Sequence, residues 1–136
     1  MKKSKQKGFT LLELLVVISI IGILLALGVV AFTTAQRKGR DAKRRADIKA
    51  LQDGFEQYYA ENSGSYVDVC GAGTEYFPGG QPDDPMPDWS YICTTNATGY
   101  IVCAQLETGG GNATSDEGAG LGSTTDGQFY CLTNLQ

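Results

Sequence analysis

Residues 7 to 15 read Lys-Gly-Phe-Thr-Leu-Leu-Glu-Leu-Leu, and these side chains ask most directly for a chemical reading. Gly8 closes a leader that carries Lys2, Lys3, Lys5 and Lys7. Phe9 opens an apolar run that lasts to Phe32, with one carboxylate, Glu13, near its start. A secretory signal is cut after its apolar region. Here the small-residue break lies before it. Cleavage after Gly8 would place a new α-amine on Phe9, a few residues from Glu13. That matters because the 24 residues from Phe9 to Phe32 hold no other charge. As helix they would span roughly 36 Å, enough to cross a hydrocarbon layer of about 30 Å. A lone carboxylate in such a span costs about 2.5–3.5 kcal/mol, and an intramembrane acid points to a partner charge. The ammonium on Phe9, of the same chain or of a neighbour, is such a partner. The plainer alternative is a glutamate snorkelling to one membrane face.

Other chemistry is scarce. With no histidine in 136 residues there is no His-based acid, base or metal ligand. No phosphate-cradling loop with a lysine and no carboxylate pair on a rigid element is present, so an enzyme is not expected. The four cysteines, Cys70, Cys93, Cys103 and Cys131, all follow the apolar segment. Their even number and the lack of a Cys-x-x-Cys pair point to two disulfides in an oxidising compartment and not to zinc. Three pairings are open. A tight hairpin could set Cys93 opposite Cys103; the pairing preferred is Cys70–Cys93 with Cys103–Cys131.

The elements that must position these groups follow from periodicity. Good helix formers and no proline fill Thr33 to Glu61. Ile48, Leu51, Phe55, Tyr58 and Tyr59 recur at three- and four-residue spacing and make one apolar stripe. Asn62-Ser63-Gly64 supplies the stop. One helix from Phe9 to Glu61 is therefore expected, its first half apolar all round and its second half amphipathic. Ser65–Val67 could open an extended piece, and all four prolines fall within 78–88. Ser90–Thr95, Gly99–Glu107 and Gln128–Thr133 read as strands, and Thr108–Gly127 as a Gly-rich loop. The organisation is a leader over 1–8, a long helix over 9–61 (9–32 apolar) and a small disulfide-bonded β-rich domain over 62–136. The fold class is α+β, with a small antiparallel sheet packed on the C-terminal half of the helix. The aromatic residues Tyr58, Tyr59, Trp89, Tyr91, Tyr100 and Phe129 are expected in the core or on the sheet, not around a ligand.

Gly8-Phe9-Thr10-Leu11-Leu12-Glu13, behind its basic leader, resembles the processing site of type IV prepilins and type II secretion pseudopilins. The resemblance covers residues 1 to about 60 closely and the rest only in layout. It implies cleavage between Gly8 and Phe9 by a membrane-embedded prepilin peptidase, N-methylation of Phe9, and a subunit-aligning role for Glu13. It also implies a pilin-like fold, single-pass residence in the cytoplasmic membrane, and assembly into a homo-oligomeric helical filament by pilus or secretion machinery. The filament would then stand at the cell surface. Many relatives carry a proline in the second half of the apolar segment; Leu27-Gly28-Val29-Val30 has none, which weakens the expectation of local helix melting. Major pseudopilins bind calcium in a C-terminal loop, and Asp116, Glu117 and Asp126 are weak candidates for such a site; no other cofactor or metal is expected. The function expected is a type IV pilus-like subunit (adhesion, motility or DNA uptake). The alternatives are a secretion pseudopilin, or a single-span protein with an extracytoplasmic binding domain.

Charge adds one tension and one idea. After Lys49 there are twelve acids and no base, so direct nucleic-acid binding is not expected. All seven bases beyond the leader lie between Arg37 and Lys49. Counting them against the leader's four lysines would place the C-terminus inside; the cysteines and the leader argue for outside. The basic stretch Arg37 to Lys49 has three readings: a solvated helix face, a surface for membrane headgroups, or a belt that lies against acidic domains of neighbouring subunits, in which case reversing Arg44 and Arg45 to glutamate is expected to reduce piliation without unfolding the domain. The Asn96-Ala97-Thr98 and Asn112-Ala113-Thr114 glycosylation patterns are read as chance.

Overall fold

The computed structural model describes residues 8–73, 75–96, 98–115 and 127–136. Its elements are one helix, α1 (Leu11–Glu61), a short 3₁₀ turn (Val69–Gly71) and three strands, β1 (Ile92–Asn96), β2 (Gly99–Gln105) and β3 (Phe129–Thr133). The chain forms two compact units, Met1–Gln36 and Arg37–Gln136. The second therefore begins inside the helix, because the amphipathic half of α1 supplies its core.

In the first unit α1 runs unbroken past Gly22 and Gly28. Its apolar side chains have no cover among the described residues: Leu11 is 87% and Leu27 69% exposed. The helix is long and apolar enough to cross a membrane. Its Ser19, Thr33 and Thr34 hydroxyls are satisfied locally. Ser19 donates to the carbonyl of Leu15 at 2.7 Å, and Thr33 and Thr34 donate to that of Val30 at 3.0 and 3.2 Å. Hydroxyls that bond back into their own helix can enter an apolar medium at little cost.

In the second unit the buried face of α1 is Asp41, Arg44, Ile48, Leu51, Gln52, Gly54 and Phe55. The apolar stripe read from the sequence is its lower half; the face continues upward through two charged residues. Ile48, Leu51 and Phe55 pack with Tyr66, Val69, Phe77, Tyr100, Val102 and Ala104. Aromatic rings dominate, with Phe55 edge-on to both Phe77 and Tyr100. Gly54 is required here: a Cβ at this position would run into the Phe77 ring. A Schellman-type stop ends α1, with Ser63 in the left-handed region (φ 57°) and the Gly64 amide donating to the Tyr59 carbonyl at 3.1 Å.

The expected extended piece at Ser65–Val67 is absent. Tyr66 instead buries its ring against Tyr59, with centroids 4.3 Å apart, and Asp68, also left-handed at φ 61°, turns the chain into the 3₁₀ turn. The three strands form an antiparallel sheet in the order β1-β2-β3. Strand alternation sends Tyr100, Val102 and Ala104 toward α1, and Cys103 into a second cluster with Cys131 and Ala113, packed by Ile101 and Phe129.

Register decides the disulfides. Asn96 pairs with Gly99, so Cys93 faces Val102 and Ile92 faces Cys103. A Cys93–Cys103 bond would need the pairing shifted by one residue, which turns every side chain to the other face. Cys93 bonds Cys70, tying the 3₁₀ turn to β1, and Cys103 bonds Cys131, directly opposite on β3.

Candidate functional site

The junction at Gly8–Phe9 lies outside the helix. Gly8, Phe9 and Thr10 are non-helical and exposed, and Phe9 is 82% exposed. A Cβ at Gly8 would meet nothing within 4 Å. Nothing described in this chain therefore demands glycine there.

Thr10 caps the helix. Its hydroxyl accepts from the Glu13 amide at 3.2 Å. Glu13 Oε2 in turn accepts from the Thr10 amide at 2.9 Å and the Thr10 hydroxyl at 2.8 Å. This is a reciprocal capping box, which satisfies amides that a helix start otherwise leaves without partners. The sequence carries its signature, Thr-x-x-Glu before an apolar run, and reasoning from charge alone overlooked it. Glu13 thus has a local reason to exist in addition to any partner charge. Both Thr10 bonds fall on Oε2, and among the described residues Oε1 is left for another donor.

The basic stretch departs from expectation. Arg44 is not at a surface: its side chain is fully buried and surrounded by this chain's own acids. It donates to Asp84 at 2.7 and 3.0 Å, to Asp41 at 2.8 Å and to Glu107 at 2.8 Å. The guanidinium also stacks over Trp89, 4.5 Å from the ring centroid. Arg40 forks onto Glu107 with two 2.6 Å bonds. Arg45 donates to the Gly110 carbonyl at 2.8 Å and lies over Tyr130. Arg44 and Arg45 therefore hold their own domain together, which corrects the expectation that they could be reversed without unfolding it. The signal was a three- and four-residue rhythm, 41-44-48-51-55, hidden because its first two members are charged.

The network sets its own protonation. The bonds from Arg40, then from Arg44, pull Glu107 down to about 2, overcoming its desolvation. Burial would raise Asp41, but hydrogen bonds from Thr108 and from the Glu107 and Thr108 amides outweigh it and hold Asp41 below its ordinary value. Burial, with Asp47 as hydrogen-bond acceptor, raises the Tyr91 hydroxyl.

The calcium candidates Asp116, Glu117 and Asp126 lie outside the described residues, as does the leader over 1–7. Among the described residues no cluster of three metal-ligating side chains occurs. Asn112 is bound at both ends of its amide, to the Cys131 carbonyl at 2.8 Å and the Cys131 amide at 2.7 Å. That ties the stem of the long loop to β3.

The family model described as the prokaryotic N-terminal methylation motif matches residues 3–29. Among characterised proteins, type II secretion system core protein G of Aeromonas hydrophila is 41% identical over 63 residues, 46% of this chain and 44% of that protein. The core protein G of Escherichia coli is 43% identical over 58 residues, 43% of this chain and 40% of that one. The type IV major pilin protein PilA of Myxococcus xanthus is 33% identical over 57 residues, 42% and 26% of the two chains. The chain thus spans less than half the length of these relatives. No solved structure matches it significantly. The chain carries the prokaryotic N-terminal methylation motif across its leader and apolar segment, and it is similar to type II secretion core proteins and a type IV pilin.

Proposed function

We propose that this chain is a structural subunit of a type IV pilus-like filament. It sits in the cytoplasmic membrane as a single span, is cut between Gly8 and Phe9 by a prepilin peptidase, is N-methylated on Phe9, and polymerises through its apolar helix. The observation that carries this reading is the junction itself: an exposed, non-helical Gly8–Phe9 bond ahead of a capped apolar helix that no described residue covers. Glycine at position 8, which no described neighbour requires, suits an enzyme's cleft.

The assembly chemistry follows from the dielectric. In a bundle of apolar helices an unpaired carboxylate is penalised heavily and one paired with an ammonium much less. Glu13, with Oε1 unused by its cap, accepts the Phe9 ammonium of an adjoining subunit and fixes axial register. Identities of 41–43% to type II secretion core protein G favour a second reading, a subunit of a secretion pseudopilus.

Intact mass and N-terminal sequencing of sheared surface material, unreduced, test the proposal. A chain beginning at N-methylated Phe9 and four protons lighter than its reduced form is the expected result, matching the two disulfides. A chain that keeps Met1–Gly8 and stays in the membrane would defeat it in favour of a single-span anchored protein.

A further inference from the structure

The structure divides the bases beyond the leader into those its own domain uses and those it leaves over. Arg40, Arg44, Arg45 and Lys49 all bond within the chain. Arg37 lines a cleft that it shares with Glu107 and Trp89. Lys38 and Lys43 are exposed and have no partner among the described residues.

The acids divide in the same way. Asp41, Asp84 and Glu107 surround Arg44, Asp53 meets Lys49, and Asp47, Glu56 and Glu61 accept tyrosine hydroxyls. Asp68, Glu75, Asp83 and Asp88 are exposed and unpaired among the described residues; of these, Asp83 and Asp88 flank Asp84, whose bonds to Arg44 hold their loop in place.

We propose that Lys38 and Lys43 of one copy of this chain meet Asp83 and Asp88 of the next copy, as a contact between subunits. The inference rests on the filament reading above. Because Asp84 and Trp89 both touch Arg44, the 83–88 loop lies beside the helix at the level of that residue. Lys43 is the adjoining residue, and Lys38 lies about 9 Å along the helix. On the helix surface Lys43 points about 100° to one side of Arg44 and Lys38 about 120° to the other. Neither faces the core. Lys43 thus shares the level of the acidic loop and Lys38 lies less than two turns from it, both on the side of the helix away from the loop, so a neighbour displaced sideways brings one charge against the other. Such a contact joins two different patches, the type of interface that builds an open filament where its rotation does not close a ring.

Net charge argues for a second copy over a lipid surface. Residues 37–136 hold seven bases and fourteen acids, a net of −7. A domain of that charge is repelled by anionic headgroups and equally by its own copies, unless opposite charges are aligned. Lys43 also stands eleven residues past Phe32, three helical turns beyond the apolar run.

The experiment is charge exchange in the full chain, with sheared filament and membrane-held subunit measured separately. Lys38→Glu with Lys43→Glu, or Asp83→Lys with Asp88→Lys, should each lower filament yield about tenfold, the effect of two exposed ion pairs. The membrane pool should stay unchanged. Combining all four substitutions should restore assembly. In wild-type filaments zero-length carbodiimide cross-linking should join Lys38 or Lys43 to Asp83 or Asp88 between copies. Wild-type yield from either pair of substitutions, no rescue in the combination, or cross-links to other acids would overturn the contact while leaving the filament reading intact. Loss of the lysine variant from the membrane pool would reassign the cations to lipid. Absence of any wild-type filament would overturn both.

Discussion

Arg44 reaches full burial while keeping three carboxylates and an indole as partners. Burying a charge is tolerated when its geometry and hydrogen bonds are complete, and removing one partner then leaves others stranded. Arg44→Ala should therefore destabilise the domain by about 3–5 kcal/mol, measured by denaturant unfolding. Arg44→Lys should also destabilise it, because an ammonium cannot fork onto Asp84 while bonding Asp41 and Glu107. A lysine variant as stable as wild type would refute that account. Glu107 makes the same network sensitive to acid. Its folded value, about 2, lies below the ordinary 4.5, so the carboxylate contributes stability above about pH 4.5 and loses it as pH falls through about 2. Melting temperature should fall across that window, and Glu107→Gln should flatten the fall while lowering stability at neutral pH. At the other end of the chain, Glu13→Gln keeps a side-chain oxygen for the capping box but removes the charge. Helix start and membrane level should then be preserved while sheared filament is lost. Filaments at wild-type yield would show that the cap, not the charge, is what the position supplies.

The helix and sheet are specified by different kinds of information. The apolar half of α1 is a matter of composition, and its capping box lies within four residues. The amphipathic half depends on distant partners: Gln52 donates to the Thr133 carbonyl at 2.6 Å, and the Glu56 carboxylate accepts from Tyr66, Tyr100 and the Leu135 amide. Gly54 shows the conflict between the two levels. Alanine there would gain about 1 kcal/mol of helix propensity. Against that, a new Cβ meets the Phe77 ring, and overpacking costs about 1–3 kcal/mol. Gly54→Ala should thus lower stability on balance, and an equal or raised unfolding midpoint would show that Phe77 has room to move. The loop stem is similarly tight. Gly111 and Gly127 pair across it, and a Cβ on either would strike backbone of the opposite strand.

At the scale of the whole molecule, the 37–136 unit is small, and its core depends on one helix face and three short strands. Two disulfides close segments with separations of 23 and 28 residues. Each should contribute about 3 kcal/mol by restricting the unfolded chain. Replacing Cys103 and Cys131 together by alanine should lower unfolding free energy by about that amount, and peptide mapping without reduction should recover Cys70 joined to Cys93. A map with Cys93 joined to Cys103 would require a different hairpin register.

The amino-acid sequence alone determined the features that depend on neighbours along the chain. These are the basic leader and glycine before an apolar run, the single carboxylate within it, one long helix, three strands with alternating faces, and cysteines even in number. Their signals repeat every two or three to four residues, or sit within one turn, so they can be read locally. Tertiary structure alone decided what lies across space. It buried Arg44, forty residues from Asp84 and sixty-three from Glu107. It turned Tyr66 inward where the sequence allowed a short extended piece, gave Gly54 its reason in Phe77, and set the hairpin register that keeps Cys93 away from Cys103. A charged side chain reads as solvent-facing until its partners are brought to it, and a one-residue shift in pairing leaves composition and periodicity unchanged while exchanging the two faces of a sheet.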